Sequence, residues 1–411
     1  MKIWLKMVFA IIIGILISIF LPNFKNIYES IIRPISNLAI NSLLYITLIY
    51  ILVKFFLGII DIKKNKLLKK AFGVFFICMA ISVLFSILLS IGLMNLSFFQ
   101  PDNSFQQKSY NVINPISVGN FLLNIINKNI FISFQTPSKF ILPVIFIALI
   151  FGLAAFFTEK KGIYFIDTIE SFDYILDKII KGFLEFYPLG AIFIIAYFIK
   201  TNIFSYDNFL FLLKPLIAIT IITVILVIIY IIIILFFLKQ KSFKFFIGYI
   251  GSILFAVTTN NTAAIIVPLT EHLKNNIGVK KDIADTLTPL GMIINKSGTV
   301  VISSVVLMSL ILIYSPDILT FNLQLLFILL LFIFSLFLDG SNEMGFLVLT
   351  TTILNINFLH LEQDSYLLFL TSIPILNRIG LMLDTLSTSI YVTIASKFTN
   401  RLEAKTYIDF I

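Results

Sequence analysis

Long apolar runs separated by short polar stretches set the pattern of this chain. Predominantly apolar runs cover roughly Ile3–Leu21, Leu38–Ile60, Ala71–Met94, Phe140–Phe157, Ile180–Ile199 and Phe209–Leu238. A helix needs about 20 predominantly apolar residues to cross a bilayer, and these runs come near or exceed that length. Inside lipid the backbone must satisfy its own hydrogen bonds, so the runs predict transmembrane helices. A membrane β-barrel would alternate polar and apolar residues, which these blocks of Ile, Leu and Phe do not. The first run follows Met1-Lys2 with no evident small-residue cleavage site, so it reads as a span rather than a signal peptide.

Beyond Leu238 the apolar stretches shorten and polar clusters interrupt them. Phe246–Val257 runs into Thr258-Thr259-Asn260-Asn261-Thr262, followed by apolar Ala263–Val267 and Pro268. Thr288–Ile294 meets Asn295-Lys296-Ser297-Gly298-Thr299 before apolar Val300–Tyr314. Leu325–Leu338 meets Asp339-Gly340-Ser341-Asn342-Glu343 before apolar Met344–Ile356, and a last span covers about Tyr366–Lys397. Half-length apolar arms around a polar tip predict re-entrant hairpins, and a polar break inside a full span predicts an unwound helix. Non-helical backbone at membrane depth persists only where it is buried in protein or lines a cavity. In secondary transporters such breaks mark substrate and ion sites. The polar stretch Gln100–Pro115 reads as an external loop.

Composition narrows the function classes. Of 411 residues 59% are hydrophobic, and the mean hydropathy is +1.05, too apolar for a soluble protein of this length. The formal charge of +9 does not point to nucleic acid, because the basic residues sit between the apolar runs. Lys63, Lys64, Lys66, Lys69 and Lys70 follow the second run, Lys160 and Lys161 the fourth, and Lys239, Lys241 and Lys244 the sixth. The opposite loops are poorer in lysine, with Lys108 after the third run and Lys200 after the fifth. The positive-inside rule then places the lysine-rich loops and both termini in the cytoplasm, in an inner-membrane protein surrounded by lipid. Cys78 stands alone, so no intrachain disulfide forms, and His272 and His360 lack zinc-ligand spacing. No metal or nucleophile–base constellation argues for an enzyme, and no cofactor is implied.

Several motifs together resemble the dicarboxylate/amino acid:cation symporter family, which includes glutamate and aspartate transporters. Phe121-Leu122-Leu123-Asn124 followed by Val144–Phe157 resembles its fourth span, and Phe186-Tyr187-Pro188-Leu189-Gly190 its fifth. Pro289-Leu290-Gly291 with Asn295 and Gly298-Thr299 resembles its seventh-span signature, P-L-G then N-M-D-G-T. The resemblance covers nearly the whole chain. It implies an all-α membrane protein with eight transmembrane helices and two re-entrant helical hairpins, assembled as a homotrimer. It also implies an elevator: a scaffold from about residues 1–70 and 116–205, and a moving transport part from about 71–99 and 206–400. The expected function is secondary active symport of an amino acid or dicarboxylate-like solute. The alternative is a transport-inactive relative acting as a membrane sensor or binding subunit.

The same resemblance nominates site residues. Asn295 to Thr299 interrupts the seventh span, where exposed carbonyls and half-helix ends can hold ions or charged groups. The family's sodium-binding Asp in that motif is Ser297 here, and the preceding Met is Lys296. An intramembrane lysine is costly and usually functional. One reading has the Lys296 ammonium standing in for a bound cation. The other has it snorkelling to water or pairing without coupling to transport. On the last span Asn377, Gly380, Asp384 and Thr388 share one helix face. Asn377 matches the family Asp that binds a substrate amino group, and Gly380 the Arg that holds a side-chain carboxylate. Asp384 matches an Asn, and Thr388 a sodium-binding Asp. Arg378 lies about 100° round the helix from Asn377, which favours a structural or interfacial role over reaching the site. The first tip offers Asn260, Asn261 and Thr262, either to a carboxylate or to their own backbone. The second, Gly340 to Gly345, carries Glu343 beside Asp339, facing external water or binding a cation or protons. Lys296 and Asp384 are expected to form an internal ion pair where the family holds sodium. The coupling ion therefore stays open between proton, sodium and none.

Overall fold

The computed structural model describes residues 3–20, 27–96, 141–203, 209–238, 242–314, 316, 319–338, 345–354, 369 and 372–403. The Gln100–Pro115 loop, the Phe121–Asn124 motif and most of the second hairpin tip, Gly340 included, lie outside the described residues.

The described residues are almost wholly helical. They form α1 (Ile3–Phe20), α2 (Arg33–Lys64), α3 (Leu68–Met94), α4 (Leu142–Phe157), α5 (Ile163–Phe198), α6 (Phe209–Leu238) and α7 (Ser242–Thr259). There follow α8 (Thr262–His272), α9 (Lys281–Ile294), α10 (Ser297–Tyr314), α11 (Phe321–Leu336), α12 (Gly345–Leu354) and α13 (Ile373–Phe398). Among the described residues seven helical segments are long and apolar enough to cross a membrane, the α9–α10 pair counting as one. The fourth run gives a shorter helix of 16 residues.

Two helices extend well beyond their apolar runs. α5 starts at Ile163 rather than Ile180, because its first turns are amphipathic: Asp167, Glu170, Asp173 and Asp177 alternate with Ile166, Ile169 and Leu176. α9 starts at Lys281 rather than Thr288 for the same reason.

Helix packing follows polarity. The outer helices carry exposed Ile, Leu and Phe, as on α1, whose apolar window is only 22% buried, a lipid-facing pattern. The two segments richest in polar residues are central: 78% of the α9–α10 window and 89% of the α13 window are buried. The hydroxyls of α13 are satisfied within the helix, since Thr385, Ser387, Ser389 and Thr393 each donate to the carbonyl four residues back.

Two packing groups can be traced among the helices, joined by an extensive contact between α2 and α9. α1, α2, α4 and α5 pack on one another, while α3, α6 and α7 to α13 form the other group around α10 and α13. The seam runs chiefly where α2 meets α8 and α9, and where α1 and α5 meet α7. Gly58 of α2 lies so close to the Thr286 hydroxyl of α9 that it leaves no room for a Cβ.

Candidate functional site

The first tip is built by Asn260 and Asn261. α7 and α8 run antiparallel: Ser252 bonds His272 at 2.7 Å, and Asn276 reaches the Gly248 carbonyl. The chain reverses at Asn260, whose φ of 51° falls in the left-handed region that Asn tolerates better than most residues. Asn261 caps α8, its Oδ1 accepting from the Ala263 and Ala264 N–H groups at 3.0 and 3.3 Å. Its side-chain oxygen therefore serves its own helix. Thr262 opens α8 and is buried.

The second component is the break between α9 and α10. Only Asn295 and Lys296 are unwound, and Ser297 already belongs to α10. Ser, Gly and Thr suit a helix N-terminus, so the helix resumes inside the polar cluster. The amide of Asn295 crosses to the last helix: its Nδ2 lies 2.7 Å from Ser387 Oγ, 2.9 Å from Thr388 Oγ1 and 3.3 Å from the Asp384 carbonyl. Its Oδ1 accepts from Ser297 N–H, and the Ser297 and Ser387 hydroxyls are 2.6 Å apart.

Asp384 completes this network. Its Oδ1 accepts from the Gly298 N–H at 2.6 Å and the Thr299 N–H at 3.4 Å, and its Oδ2 accepts from the Thr299 hydroxyl at 2.7 Å. The carboxylate thus sits on the N-terminus of α10, where unsatisfied N–H groups and the helix dipole both favour negative charge. Lys296, two residues before Gly298, is 4% exposed. The expected ammonium–carboxylate ion pair is not among the described ion pairs; the described donors to the carboxylate are the Gly298 and Thr299 N–H groups and the Thr299 hydroxyl.

Asn377 ties the first tip to the last helix, donating to Asn260 Oδ1 at 2.9 Å. It lies seven residues before Asp384, about 10 Å along the axis. Gly380, between them, lets the helices touch. A Cβ there would meet Ile302 Cδ1 at 3.0 Å and Thr299 Cα at 3.5 Å. Arg378 points elsewhere: its Nε donates to the Val257 carbonyl at 2.8 Å, and its guanidinium lies 3.6 Å from the Phe198 ring centroid. These contacts join α13 to α7 and α5.

The structure therefore brings Asn295, Ser297, Thr299, Asp384 and Thr388 into one buried polar network, and links Asn377 to Asn260 beside it. Ser387, which sequence reasoning did not nominate, bridges Asn295 and Ser297. Its signal was its spacing three residues after Asp384 on the same helix. The packing partner α3 brings apolar Phe75, Met79 and Val83 to the buried side.

A broken span whose half-helix holds a residue of the last helix, next to an Asn-tipped helix pair, is the arrangement the sequence motifs anticipate. The sequence matches the sodium:dicarboxylate symporter family over residues 3–398. The chain belongs to this family. It is 23% identical over 376 residues to the C4-dicarboxylate transport protein of Bacillus subtilis (strain 168), covering 88% of this chain and 86% of that protein. It is 24% identical over 368 residues to the proton/sodium-glutamate symport protein of Geobacillus stearothermophilus, covering 86% and 83%. This symporter-family member is accordingly a multi-pass membrane transport protein and not an enzyme.

Proposed function

We propose that this family member carries an amino acid or a related small carboxylate across the inner membrane by elevator motion, without sodium. The group α1, α2, α4 and α5 serves as scaffold, at the centre of a homotrimer. The other group moves as a body and carries solute between the two hairpin tips, the α9–α10 break and α13. Lysine-rich loops and both termini face the cytoplasm. Rigid-body displacement of this kind moves one packing group past the other along the α2–α9 seam, and the close mutual packing of α1, α2, α4 and α5 supports treating them as one body.

The single observation that carries the sodium-free reading is the Asp384 carboxylate on the α10 N-terminus with the buried Lys296 ammonium close by. Two acidic positions of the family pattern are Ser297 and Thr388 here, and both hydroxyls are engaged within the protein. A fixed ammonium in the same space repels a mobile cation and favours the charged form of Asp384. Transport is then driven by protons or proceeds as facilitated diffusion or exchange. Solute contacts fall to Asn260, Asn377 and Thr299, with Asn261, Thr262, Gly380 and Asp384 shaping their surroundings. The test is uptake by purified protein in liposomes under separately imposed sodium and proton gradients. Uptake that requires sodium overturns the sodium-free reading, and no uptake of any amino acid or dicarboxylate favours a transport-inactive relative.

A further inference from the structure

A second buried polar cluster sits at the seam between the two packing groups, away from the proposed solute site. Tyr50 and Lys54 of α2 are both 0% exposed. The Lys54 ammonium lies 2.7 Å from Asp173 and 2.6 Å from Asp177, one turn apart on α5. Across the seam, the Lys274 ammonium lies 2.6 Å from Glu271 at the end of α8 and 3.1 Å from Asp285 of α9. Burial works against the Lys274 charge, but Asp285 and Glu271 outweigh it and raise its pKa above the ordinary lysine value. Each lysine is therefore neutralised within its own packing group.

Tyr50 spans the two halves. Its hydroxyl donates to Glu271 Oε1 at 2.9 Å and accepts from the Lys274 ammonium at 3.3 Å. Both ammonium groups also approach its ring, at 5.6 and 5.7 Å from the centroid. A further side-chain hydrogen bond across this seam is a long one, from Asn65 just after α2 to Asp282 of α9 at 3.4 Å. The cluster borders a cleft of about 650 Å³ at the same seam, into which Asp177, Lys178, Lys274 and Lys281 also project.

Charges inside a membrane protein are costly, and separating a buried ion pair leaves an uncompensated charge. This seam avoids that penalty. If the groups slide apart, Lys54 keeps Asp173 and Asp177, and Lys274 keeps Glu271 and Asp285. At Tyr50 what breaks is two charge-assisted hydrogen bonds, the one with Lys274 a long one, and the ring contact with Lys274, an interaction large enough to bias a position and small enough to release. We infer that Tyr50 is a positioning residue for transport, a latch whose hydroxyl holds the moving group against the scaffold in the arrangement seen here. The inference rests on the rigid-body reading above.

Spin labels at the exposed positions Lys178 and Lys281, in a Cys78→Ser background, report the distance across the seam in liposomes. Tyr50→Phe keeps the ring and removes only the hydroxyl, and Glu271→Gln keeps an acceptor while removing the charge. Both variants should lower the ratio of the latched distance to the released one by about tenfold, the shift that 1.4 kcal/mol produces. Two distances with equal weights in wild type and both variants overturn the latch alone. A single distance shared by all three proteins overturns the rigid-body reading, and the latch with it.

Discussion

Gly298 and Gly380 meet at the crossing of α10 and α13, where a Cβ on Gly298 would collide with the Gly380 carbonyl oxygen and come within 2.5 Å of Leu383 Cβ. The contact sets the height of the α10 N-terminus over Asp384. Gly298→Ala has to push the two backbones apart, so it should break the bonds from Gly298 and Thr299 to the carboxylate. Overpacking of this kind costs about 1–3 kcal/mol. A lowered melting temperature in detergent together with abolished uptake is the expected result. Gly380→Ala meets the flexible Cδ1 end of Ile302 first. It should be the milder variant in both measurements, and the reverse order would contradict this crossing.

At the first tip, two adjacent asparagines have separable jobs. Asn261→Ala removes the cap of α8 and should lower stability by about 1 kcal/mol with little change in solute preference. Asn260→Gly keeps the left-handed backbone and removes the acceptor for Asn377, so it should raise KM for the carried solute while stability holds. Asn260→Ala adds the left-handed cost of about 1–2 kcal/mol to that loss. Thermal unfolding and uptake kinetics on the three variants check the separation.

Much of this arrangement was legible in the sequence. The apolar runs marked the outer helices, and the interrupted pattern after Leu238 placed the break and the Asn260 tip. The stripe Asn377, Gly380, Asp384 and Thr388 identified the face of α13 that meets the first tip at Asn377 and the break at the other three. The breadth of the break was not legible: five polar residues read as one interruption, yet three of them begin α10, because Ser, Gly and Thr fit a helix start as well as an unwound segment. The amphipathic beginnings of α5 and α9 escaped a reading based on uninterrupted apolar length. The Lys54 and Lys274 cluster depends on partners more than a hundred residues apart, such as Tyr50 and Glu271. A lysine inside the second apolar run was its visible sign.

Aspartate and glutamate should bind weakly. Gly380 supplies no guanidinium for a second carboxylate, and a charge-assisted contact of that kind contributes about 1.5–3 kcal/mol. Restoring the family's arginine with Gly380→Arg should not create an aspartate carrier, because a side chain there meets Ile302 and the start of α10. Arg378→Gln should lower stability by removing the stack on Phe198 and the bond to the Val257 carbonyl, without changing selectivity. Competition of both acidic amino acids against a transported solute is the measurement. Micromolar aspartate uptake that survives Arg378→Gln would sink the argument from Gly380, whereas uptake that needs Arg378 would assign the missing role to it.

Lys296 and Asp384 should behave as one electrostatic unit, with the Gly298 and Thr299 donors also holding the carboxylate. Asp384→Asn keeps an acceptor for the Gly298 N–H and removes one negative charge from the surroundings of the buried Lys296. Lys296→Met leaves Asp384 on the α10 N-terminus, whose N–H groups and dipole still favour it. The first variant should therefore be the more damaging, and the double variant should recover part of its loss. Groups that share a network couple by about 0.5–3 kcal/mol. Uptake in liposomes for wild type, both single variants and the double variant closes the cycle. Strictly additive losses would show that the two charges act independently, and Lys296 would then have no part in replacing a cation. Sodium dependence appearing in Lys296→Met, where wild type has none, would be the most direct sign that the ammonium occupies that role.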